Sequence, residues 1–313
     1  MAPSDPLVLT ATPQDVAHAA ALLAQGALVS FPTETVYGLG ADARNGEAVA
    51  AIYQAKGRPA FNPLIVHVPV ARTANRYAQW SDMAEALASA FWPGPLTLVL
   101  PLRAGHGLSA LVTAGLDSVA LRVPAHPAAQ ALLRQFDGPV AAPSANPSGR
   151  ISPTTAAHVA EGLGTRVAAI LADGPCTVGL ESTIIGLVGA PTLLRPGGLP
   201  AEDIEGVLGM RLALPATGKI SAPGQLLSHY APRVPLRLNA TDPKPGETFL
   251  GFGDMTCDLN LSARGDLREA AARLFDHLHR LDAMGKPIAV APVPDTGLGV
   301  AINDRLKRAA APR

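Results

Sequence analysis

The sequence contains few of the residues that cross-link, charge or anchor a protein. Two cysteines, 4% aromatic residues and 16% charged residues occur among its 313 positions. Cys176 and Cys257 exclude a disulfide framework and a cysteine-ligated zinc or iron–sulfur site, and this usage is typical of a reducing compartment. Because 25 lysines and arginines balance 25 aspartates and glutamates, no overall field would hold a polyanion. A general nucleic-acid binder is therefore not expected.

Signals for export and membrane insertion are also missing. No lysine or arginine precedes Arg44, so the N-terminus lacks the positively charged start of a signal peptide. No stretch of about 18 residues is apolar and free of both charge and proline, which argues against a membrane span. The hydrophobic fraction of 48% is too high for a disordered chain. We therefore expect a soluble, cytoplasmic, folded protein.

The common nucleotide, hydrolase and zinc-protease motifs are absent. The chain has no Gly-x4-Gly-Lys-Ser/Thr loop, no Gly-x-Gly-x-x-Gly turn opening a helix, no Gly-x-Ser-x-Gly and no His-Glu-x-x-His. Its eight histidines form no cluster with metal-ligand spacing. His277 and His279 are interpreted as solvent-facing or capping residues on different faces of one helix.

What is present is an alternation of helices and strands that indicates an α/β fold with helices covering the sheet. A second, smaller α/β unit follows a segment rich in Gly, Pro and Ser that begins near Leu214. At about 100–200 residues per domain, the length accommodates both. The predicted division is 1–212 for the first domain, 213–235 for a linker and 236–313 for the small domain. Predicted helices span 13–26, 46–57, 83–91, 127–136, 154–161 and 267–284, and predicted strands span 63–68, 96–101, 118–123, 139–142, 168–172, 182–187, 236–238, 248–251 and 288–292.

Five polar clusters lie where predicted strands end, which is where open α/β sheets place ligands. Each cluster alone is compatible with ordinary turn chemistry. Together they indicate a pocket for a phosphate-bearing small molecule and a second, small polar substrate. The clusters span 31–40, 56–67, 117–127, 143–152 and 179–198.

Two cations in these clusters stand out. Lys56 is the single lysine of the first 218 residues and is one residue from Arg58, so the pair could clamp phosphate oxygens. Arg122 lies inside an otherwise apolar predicted strand and demands an anionic partner, because an unpaired buried charge is very costly.

These blocks resemble the YrdC-type domain, and the whole chain resembles the long, two-domain form of the threonylcarbamoyl-AMP synthase family. The resemblance rests on PTETVYGLG, Lys56-x-Arg58, NPLIVHV, FWPGPLTL, LRVPAHP, Ser144-x-Asn146, GLESTI and LRPGG, in this order over about residues 8–210. SHYAP, at 228–232, is similar to the linker of the long form. The resemblance implies a YrdC-like twisted mixed sheet flanked by helices and a smaller Rossmann-like C-terminal domain.

The resemblance also implies a reaction. Such enzymes condense ATP, L-threonine and bicarbonate or CO2 into L-threonylcarbamoyladenylate and pyrophosphate, which makes them nucleotidyltransferases. The product passes to the tRNA threonylcarbamoyl-transferase machinery for N6-threonylcarbamoyladenosine at position 37 of tRNAs that read ANN codons. Mg²⁺ is expected with the ATP phosphates and no metal on the protein itself. Direct contact with tRNA is left open.

Site residues follow from the resemblance position by position. Lys56 and Arg58 would be catalytic. The L-threonine site would comprise Thr35, His67, Arg122, Ala142 and Ser182. The ATP site would comprise Arg58, Asn62, Ser118, Ser144, Asn146, Ser152, Arg195 and Tyr230, with the linker closing over the mouth.

There are two rival interpretations, and one of them stays open. A related carbamoyltransferase of hydrogenase maturation needs a cysteine-rich zinc module, which two cysteines exclude. An RNA- or ribosome-binding module with a vestigial nucleotide pocket is weakened by the zero net charge and the few aromatics.

Overall fold

The computed structural model describes residues 6–59, 61–215 and 229–312. Its strands are β1 Leu7–Thr10, β2 Val29–Phe31, β3 Gly38–Asp42, β4 Ile65–His67, β5 Leu96–Pro101, β6 Ser118–Arg122, β7 Val140–Ala141, β8 Ala169–Ala172, β9 Thr183–Gly186, β10 Thr192–Arg195, β11 Leu236–Arg237, β12 Thr248–Gly251, β13 Leu259–Asn260 and β14 Ile288–Val290. Its α-helices are α1 Pro13–Ala24, α2 Gly46–Lys56, α3 Ala71–Ala74, α4 Asp82–Phe91, α5 Ala110–Thr113, α6 Pro127–Phe136, α7 Ala156–Leu163, α8 Ala201–Leu208, α9 Leu267–Ala283 and α10 Leu298–Ala309.

Strands β1 to β10 form one mixed sheet in the order β1-β8-β2-β3-β7-β4-β6-β5-β9-β10. The sheet contains both parallel pairs, such as β4 with β6 and β5 with β9, and antiparallel pairs, such as β3 with β7. We call this sheet and its helices, α1 to α8, the N-terminal unit. The predicted mixed α/β fold is confirmed.

Two helical layers cover the large sheet because successive strand residues face opposite sides. In β8, Ile170 packs into the core that includes residues of α2, α4, α7 and α8, whereas Ala169 and Leu171 pack with α1 and α6. In β7, Ala141 packs into the first of these cores and Val140 into the second.

Strands β11 to β14 form a second, all-parallel sheet in the order β11-β14-β12-β13. With α9 and α10 they make up the C-terminal unit. The predicted strands at 248–251 and 288–292 and the predicted helix at 267–284 are present within a few residues. The domain limits at 212 and 235 stay a prediction, and most of the predicted linker, 216–228, lies outside the described residues.

The two units share a hydrophobic core. Val36, Ile151 and Leu180 of the N-terminal unit pack in one cluster with α9 and α10. Gly179 makes this approach possible, because a Cβ there would lie 2.5 Å from the carbonyl oxygen of Ala271 in α9. Its φ of +74° is also a conformation that glycine adopts without strain.

Candidate active site

A cavity opens where β4, β6, β7 and β9 meet the segment that enters the C-terminal unit. We call it the cavity. Its walls are mostly polar or charged side chains and come from segments far apart in sequence. They comprise Thr33, Thr35, Val36, Gly38, Arg58, Ile65, His67, Arg122, Ala142, Pro143, Ser144, Glu181, Ser182, Arg195, His229 and Tyr230.

One end of the cavity is built on the carboxyl ends of two parallel strands. His67 ends β4 and Arg122 ends β6, and the two residues are partners in register. Arg122 is almost fully buried and its Nη2 donates to Oε1 of Glu34 at 2.6 Å. The anionic partner that the sequence demands for Arg122 is therefore supplied, at least in part, by the protein itself.

Arg122 keeps hydrogen-bonding capacity beyond this pair. Its Nε donates to the carbonyl of Gly94 and its Nη1 to Oγ1 of Thr35 at 2.8 Å. A guanidinium has five N–H groups, so among the described residues three have partners and two can serve a ligand. Burial and the nearby Arg122 charge lower the pKa of His67 to about 3, which keeps the imidazole neutral.

Thr35 is held by a tight polar turn after β2. Thr33 Oγ1 donates to the carbonyl of Val36 at 2.6 Å and lies 2.7 Å from Oγ1 of Thr35. Such hydroxyl-to-backbone bonds stabilise a turn against the extended conformation that the preceding strand favours. The PTETV segment therefore presents Thr35 next to Arg122.

Arg195 and Ser182 form the next wall. Arg195 ends β10, and its Nη2 donates to the carbonyl and to Oγ of Ser182, at 2.9 and 3.2 Å. Ser182 precedes β9, and its hydroxyl lies 2.7 Å from Oγ1 of Thr97 in the adjacent β5. Burial lowers the pKa of Arg195.

Arg58 enters the cavity because helix α2 ends two residues before it. Gly57 adopts φ 60° and ψ 37°, and the amides of Gly57 and Arg58 donate back to the carbonyls of Gln54 and Tyr53. This is a Schellman termination, which favours glycine at the left-handed position. Arg58 then donates to the carbonyls of Asn62 and Pro63. Burial lowers its pKa to about 10.

Lys56 lies behind the loop after β7. Its Nζ donates to the carbonyls of Ser144 and Asn146 at 2.6 and 2.5 Å. Burial, assisted by the charge of Arg58, holds its pKa well below the ordinary value. These two hydrogen bonds connect the end of α2 to the loop after β7. The predicted catalytic role of Lys56 stays a prediction.

The structure brings most of the predicted residues together. The cavity is lined by Thr35, Arg58, His67, Arg122, Ala142, Ser144, Ser182, Arg195 and Tyr230. Five predicted residues do not line the cavity, namely Lys56, Asn62, Ser118, Asn146 and Ser152. Ser118 starts β6, whereas Arg122 ends it, so the strand separates these two residues.

Sequence reasoning missed the two buried carboxylates of the site. Glu34 pairs with Arg122, and Glu181 lines the cavity and accepts from Ser152 Oγ at 2.5 Å and from Arg305 Nε at 2.9 Å. Burial would raise the pKa of Glu181, but Arg305, Arg195 and the Ser152 hydroxyl hold it below the ordinary value. Glu34 occurs in the PTETVYGLG block and Glu181 in the GLESTI block. Their positions directly beside Thr35 and Ser182 in the sequence could have identified them as site residues.

Tyr230 closes the cavity from the C-terminal side. It is 1% exposed, adopts a φ of 62°, and packs against His229, Phe275 and the guanidinium of Arg305. The amide of the next residue, Ala231, donates to the carbonyl of Gly149 at 2.8 Å. Burial raises the pKa of Tyr230 to about 12, so its phenol keeps its proton at neutral pH.

The interpretation of the helix α9 histidines is wrong. His277 is buried and contacts the carbonyl of Asn260, and His279 stacks on His158 of α7 with ring centroids 3.9 Å apart. Within the described ranges, no group of three or more His, Cys, Asp or Glu residues could hold a metal ion. Within the same ranges, no helix is long and apolar enough to cross a bilayer.

Fold and cavity define a three-layer α/β protein whose site is completed by a second unit. The chain matches the family model described as telomere recombination over residues 21–197. It also matches the model described as threonylcarbamoyl-AMP synthase, C-terminal domain, over residues 199–311.

Curated relatives and solved structures agree with these matches. The chain is 42% identical to the threonylcarbamoyl-AMP synthase of Bacillus subtilis, over 97% of this chain and 95% of that protein. It is 42% identical to that of Pyrococcus abyssi, over 93% and 92%. The crystal structure of P. abyssi Sua5 complexed with L-threonine superimposes with a TM-score of 0.89 at 37% identity, covering 98% of each chain. E. coli YciO shares the fold of 62% of the chain, at 20% identity and a TM-score of 0.57.

The chain belongs to the threonylcarbamoyl-AMP synthase family. It is accordingly an enzyme of the nucleotidyltransferase type. This assignment sets aside the alternative of an RNA- or ribosome-binding module with a vestigial pocket.

Proposed function

We propose that the protein makes L-threonylcarbamoyladenylate and pyrophosphate from L-threonine, bicarbonate or CO2, and ATP. The observation that carries the proposal is one cavity lined by Arg122, which has two N–H groups without a partner among the described residues, and by Arg58 and Arg195. We assign Arg122 to an amino-acid carboxylate, at what we call the threonine end, and Arg58 and Arg195 to phosphate oxygens, at what we call the nucleotide end.

The threonine end is supported by complementary polar groups. The carboxylate would take charge-assisted hydrogen bonds from Arg122, and the substrate hydroxyl and amine would meet Thr35, His67 and Ser182. Because His67 is neutral, it can accept a hydrogen bond from an ammonium or hydroxyl group. The P. abyssi relative was crystallised with L-threonine, which supports this assignment.

The nucleotide end would hold ATP through Arg58, Arg195 and the loop that carries Ser144 and Asn146. Asn62, Ser118, Ser152 and Tyr230 are proposed to contribute to the same site. Mg²⁺, which prefers oxygen ligands and keeps several waters, would be bound through the phosphates. Its chemistry would be to neutralise charge on the departing pyrophosphate.

The reaction requires little covalent help from the protein. The threonine amine attacks CO2 and loses a proton, which gives a carbamate. A carbamate oxygen then attacks the α-phosphorus, its new P–O bond replaces the bond to the β-phosphate oxygen, and pyrophosphate leaves. The protein's work is to position the reactants, neutralise charge and exclude water from the labile carbamate.

Buried walls support this sheltering role. His67, Arg122, Ser182 and Arg195 are each at most 5% exposed, and Tyr230 covers the cavity from the opposite side. We propose that the product is then passed to the machinery that modifies tRNA at position 37, in a cytoplasmic setting.

The test measures pyrophosphate release from Mg²⁺-ATP and bicarbonate with L-threonine, with L-serine, and with no amino acid. We expect release that depends on threonine, and a product that decomposes to AMP. Equal release of pyrophosphate under all three conditions would contradict L-threonine as the acceptor. Threonine-dependent release that persists when bicarbonate and CO2 are removed would contradict a carbamate intermediate.

A further inference from the structure

Arg305 carries a buried charge from the C-terminal unit to the wall of the cavity. It lies on the inner face of α10 with Ile302 and Leu306, and it is 0% exposed. Its Nε donates to Oε2 of Glu181 at 2.9 Å, and its Nη1 donates both to the carbonyl of Pro196 and to Oδ2 of Asp304, each at 2.8 Å. Its guanidinium carbon lies 5.1 Å from the centre of the Tyr230 ring.

These contacts join three segments that form the cavity. Glu181 is followed by Ser182, Pro196 follows Arg195, and Tyr230 follows His229. Glu181, Ser182, Arg195, His229 and Tyr230 all line the cavity, whereas Arg305 does not. Arg305 therefore acts on the cavity through its neighbours rather than by touching a bound molecule.

The charge of Arg305 has a specific task at Glu181. That carboxylate is buried beside Arg195, and its second oxygen accepts from Ser152. Without Arg305, it would be an incompletely compensated buried anion next to the proposed phosphate site. Such a group either repels an anionic ligand or takes up a proton.

We propose that Arg305 is a positioning residue for the nucleotide. It balances the charge of Glu181 and holds that carboxylate in place, fixes the backbone that follows Arg195, and stacks Tyr230 over the cavity. The C-terminal unit thereby completes the nucleotide end of the cavity through one side chain. The inference rests on the proposed function.

Kinetics of Arg305→Met and Arg305→Lys test the inference, with Lys307→Met as the matched control. Lys307 lies on the same helix and is exposed. We expect Arg305→Met to lower kcat/KM for ATP by about 10²-fold, the scale of a small misplacement of reacting groups. The KM for threonine should change less than the KM for ATP. Lysine should restore part of the loss because it keeps the charge but not the planar fork.

A second variant separates positioning from loss of packing. Without Arg305, an ionised Glu181 would repel the phosphates of ATP, so the deficit of Arg305→Met in kcat/KM for ATP, relative to wild type, should shrink as the pH falls and Glu181 takes up a proton. Adding Glu181→Gln to Arg305→Met removes the unpaired carboxylate, so the double variant should recover ATP affinity relative to Arg305→Met. A double variant as weak as Arg305→Met, with a deficit that does not shrink at low pH, would overturn the inference.

Binding measurements keep this test independent of turnover. Titration calorimetry with Mg²⁺-ATP on wild type, Arg305→Met and Lys307→Met should show weaker binding by about 10-fold or more for Arg305→Met alone. If wild type binds ATP but releases no pyrophosphate with threonine, the proposed function fails while the role of Arg305 is still measured. Equal ATP affinity in wild type and a folded Arg305→Met would overturn the inference whatever the activity.

Discussion

The cavity is flanked by two buried glutamate–arginine pairs that differ in what they connect. Glu34 and Arg122 both belong to the N-terminal unit, and their side chains meet at 2.6 Å. Glu181 and Arg305 belong to different units and meet at 2.9 Å. In the first pair the arginine lines the cavity, and in the second pair the glutamate does.

The two pairs show which part of the site depends on which unit. The first pair forms whenever the large sheet folds, because Arg122 ends a central strand and Glu34 lies in the turn after β2. The second pair forms only when the C-terminal unit is docked. The proposed threonine end therefore depends on one unit, and the proposed nucleotide end depends on both.

Breaking the first pair should have the largest effect. Arg122→Ala removes the proposed carboxylate ligand and leaves Glu34 buried without its cation. Loss of one partner of a buried pair costs about 3–5 kcal/mol. Loss of two charge-assisted hydrogen bonds, at about 1.5–3 kcal/mol each, raises the KM for threonine by about 10²-fold or more.

Chemical denaturation and threonine-dependent pyrophosphate release measure the two effects. Arg134→Ala, an exposed arginine on α6, is the control and should alter neither. An Arg122→Ala protein with the wild-type KM for threonine would refute the proposed carboxylate contact.

Lys56→Met should reduce activity less than Arg122→Ala. It removes hydrogen bonds inside the N-terminal unit and leaves both glutamate–arginine pairs in place. The carbonyls of Ser144 and Asn146 would lose their ammonium donor, at a cost of about 1–3 kcal/mol. The loop would then hold ATP less well. A positioning role predicts a higher KM for ATP with recovery of rate at saturating ATP, whereas a catalytic role predicts a rate that stays low.

Single-turnover rates over a range of ATP concentrations distinguish these two roles of Lys56. Lys286→Met, in which an exposed lysine loses its charge, serves as the control. A Lys56→Met protein with wild-type KM and rate would refute both roles.

The smallest expected effect is on the free energy of unfolding. It concerns the contact between His158 of α7 and His279 of α9, which joins the two units away from the cavity. Burial, with help from His279, lowers the pKa of His158 to about 4, although Asp276 and Glu161 act in the opposite direction. The unfolded chain therefore binds more protons between about pH 4 and the ordinary value near 6.5. Stability should fall as the pH drops through this window, by roughly 1–2 kcal/mol after allowance for solvent screening.

His158→Phe keeps an aromatic ring against His279 and removes this titration. Unfolding free energies measured from pH 4 to 7 should therefore show a shallower slope in the variant. His18→Gln, on the exposed side of α1, should keep the wild-type slope. An unchanged slope in His158→Phe would contradict a neutral, buried His158.

Most of the secondary structure could be predicted because it is local. Helix α2 ends at Lys56, directly before a glycine with positive φ, and strand β6 is an apolar run that ends at Arg122. Helix α10 was not predicted, since its polar residues obscure the buried stripe of Ile302, Arg305 and Leu306. The reason for an arginine on that stripe becomes clear only from the position of Glu181, with which Arg305 pairs.

The site shows the same division between local and distant information. Thr35, His67 and Arg122 could be expected close together because each stands in a recognisable block at a strand end, and all three line the cavity. The partners of Arg122 and Glu181 could not be assigned, because Glu34 and Arg305 are 88 and 124 residues away along the chain.

The α/β character, the family resemblance and the set of polar blocks follow from the amino-acid sequence alone, because local periodicity and ordered motifs are properties of short segments. Three contacts could be found only in the folded protein: Lys56 bonds the loop after β7, Glu34 pairs with Arg122, and Arg305 reaches Glu181. Those pairings depend on how strands β4, β6 and β9 and helix α10 converge. The physical reason is that a buried charge is stable only beside its counter-charge, and packing of distant segments determines where that counter-charge lies.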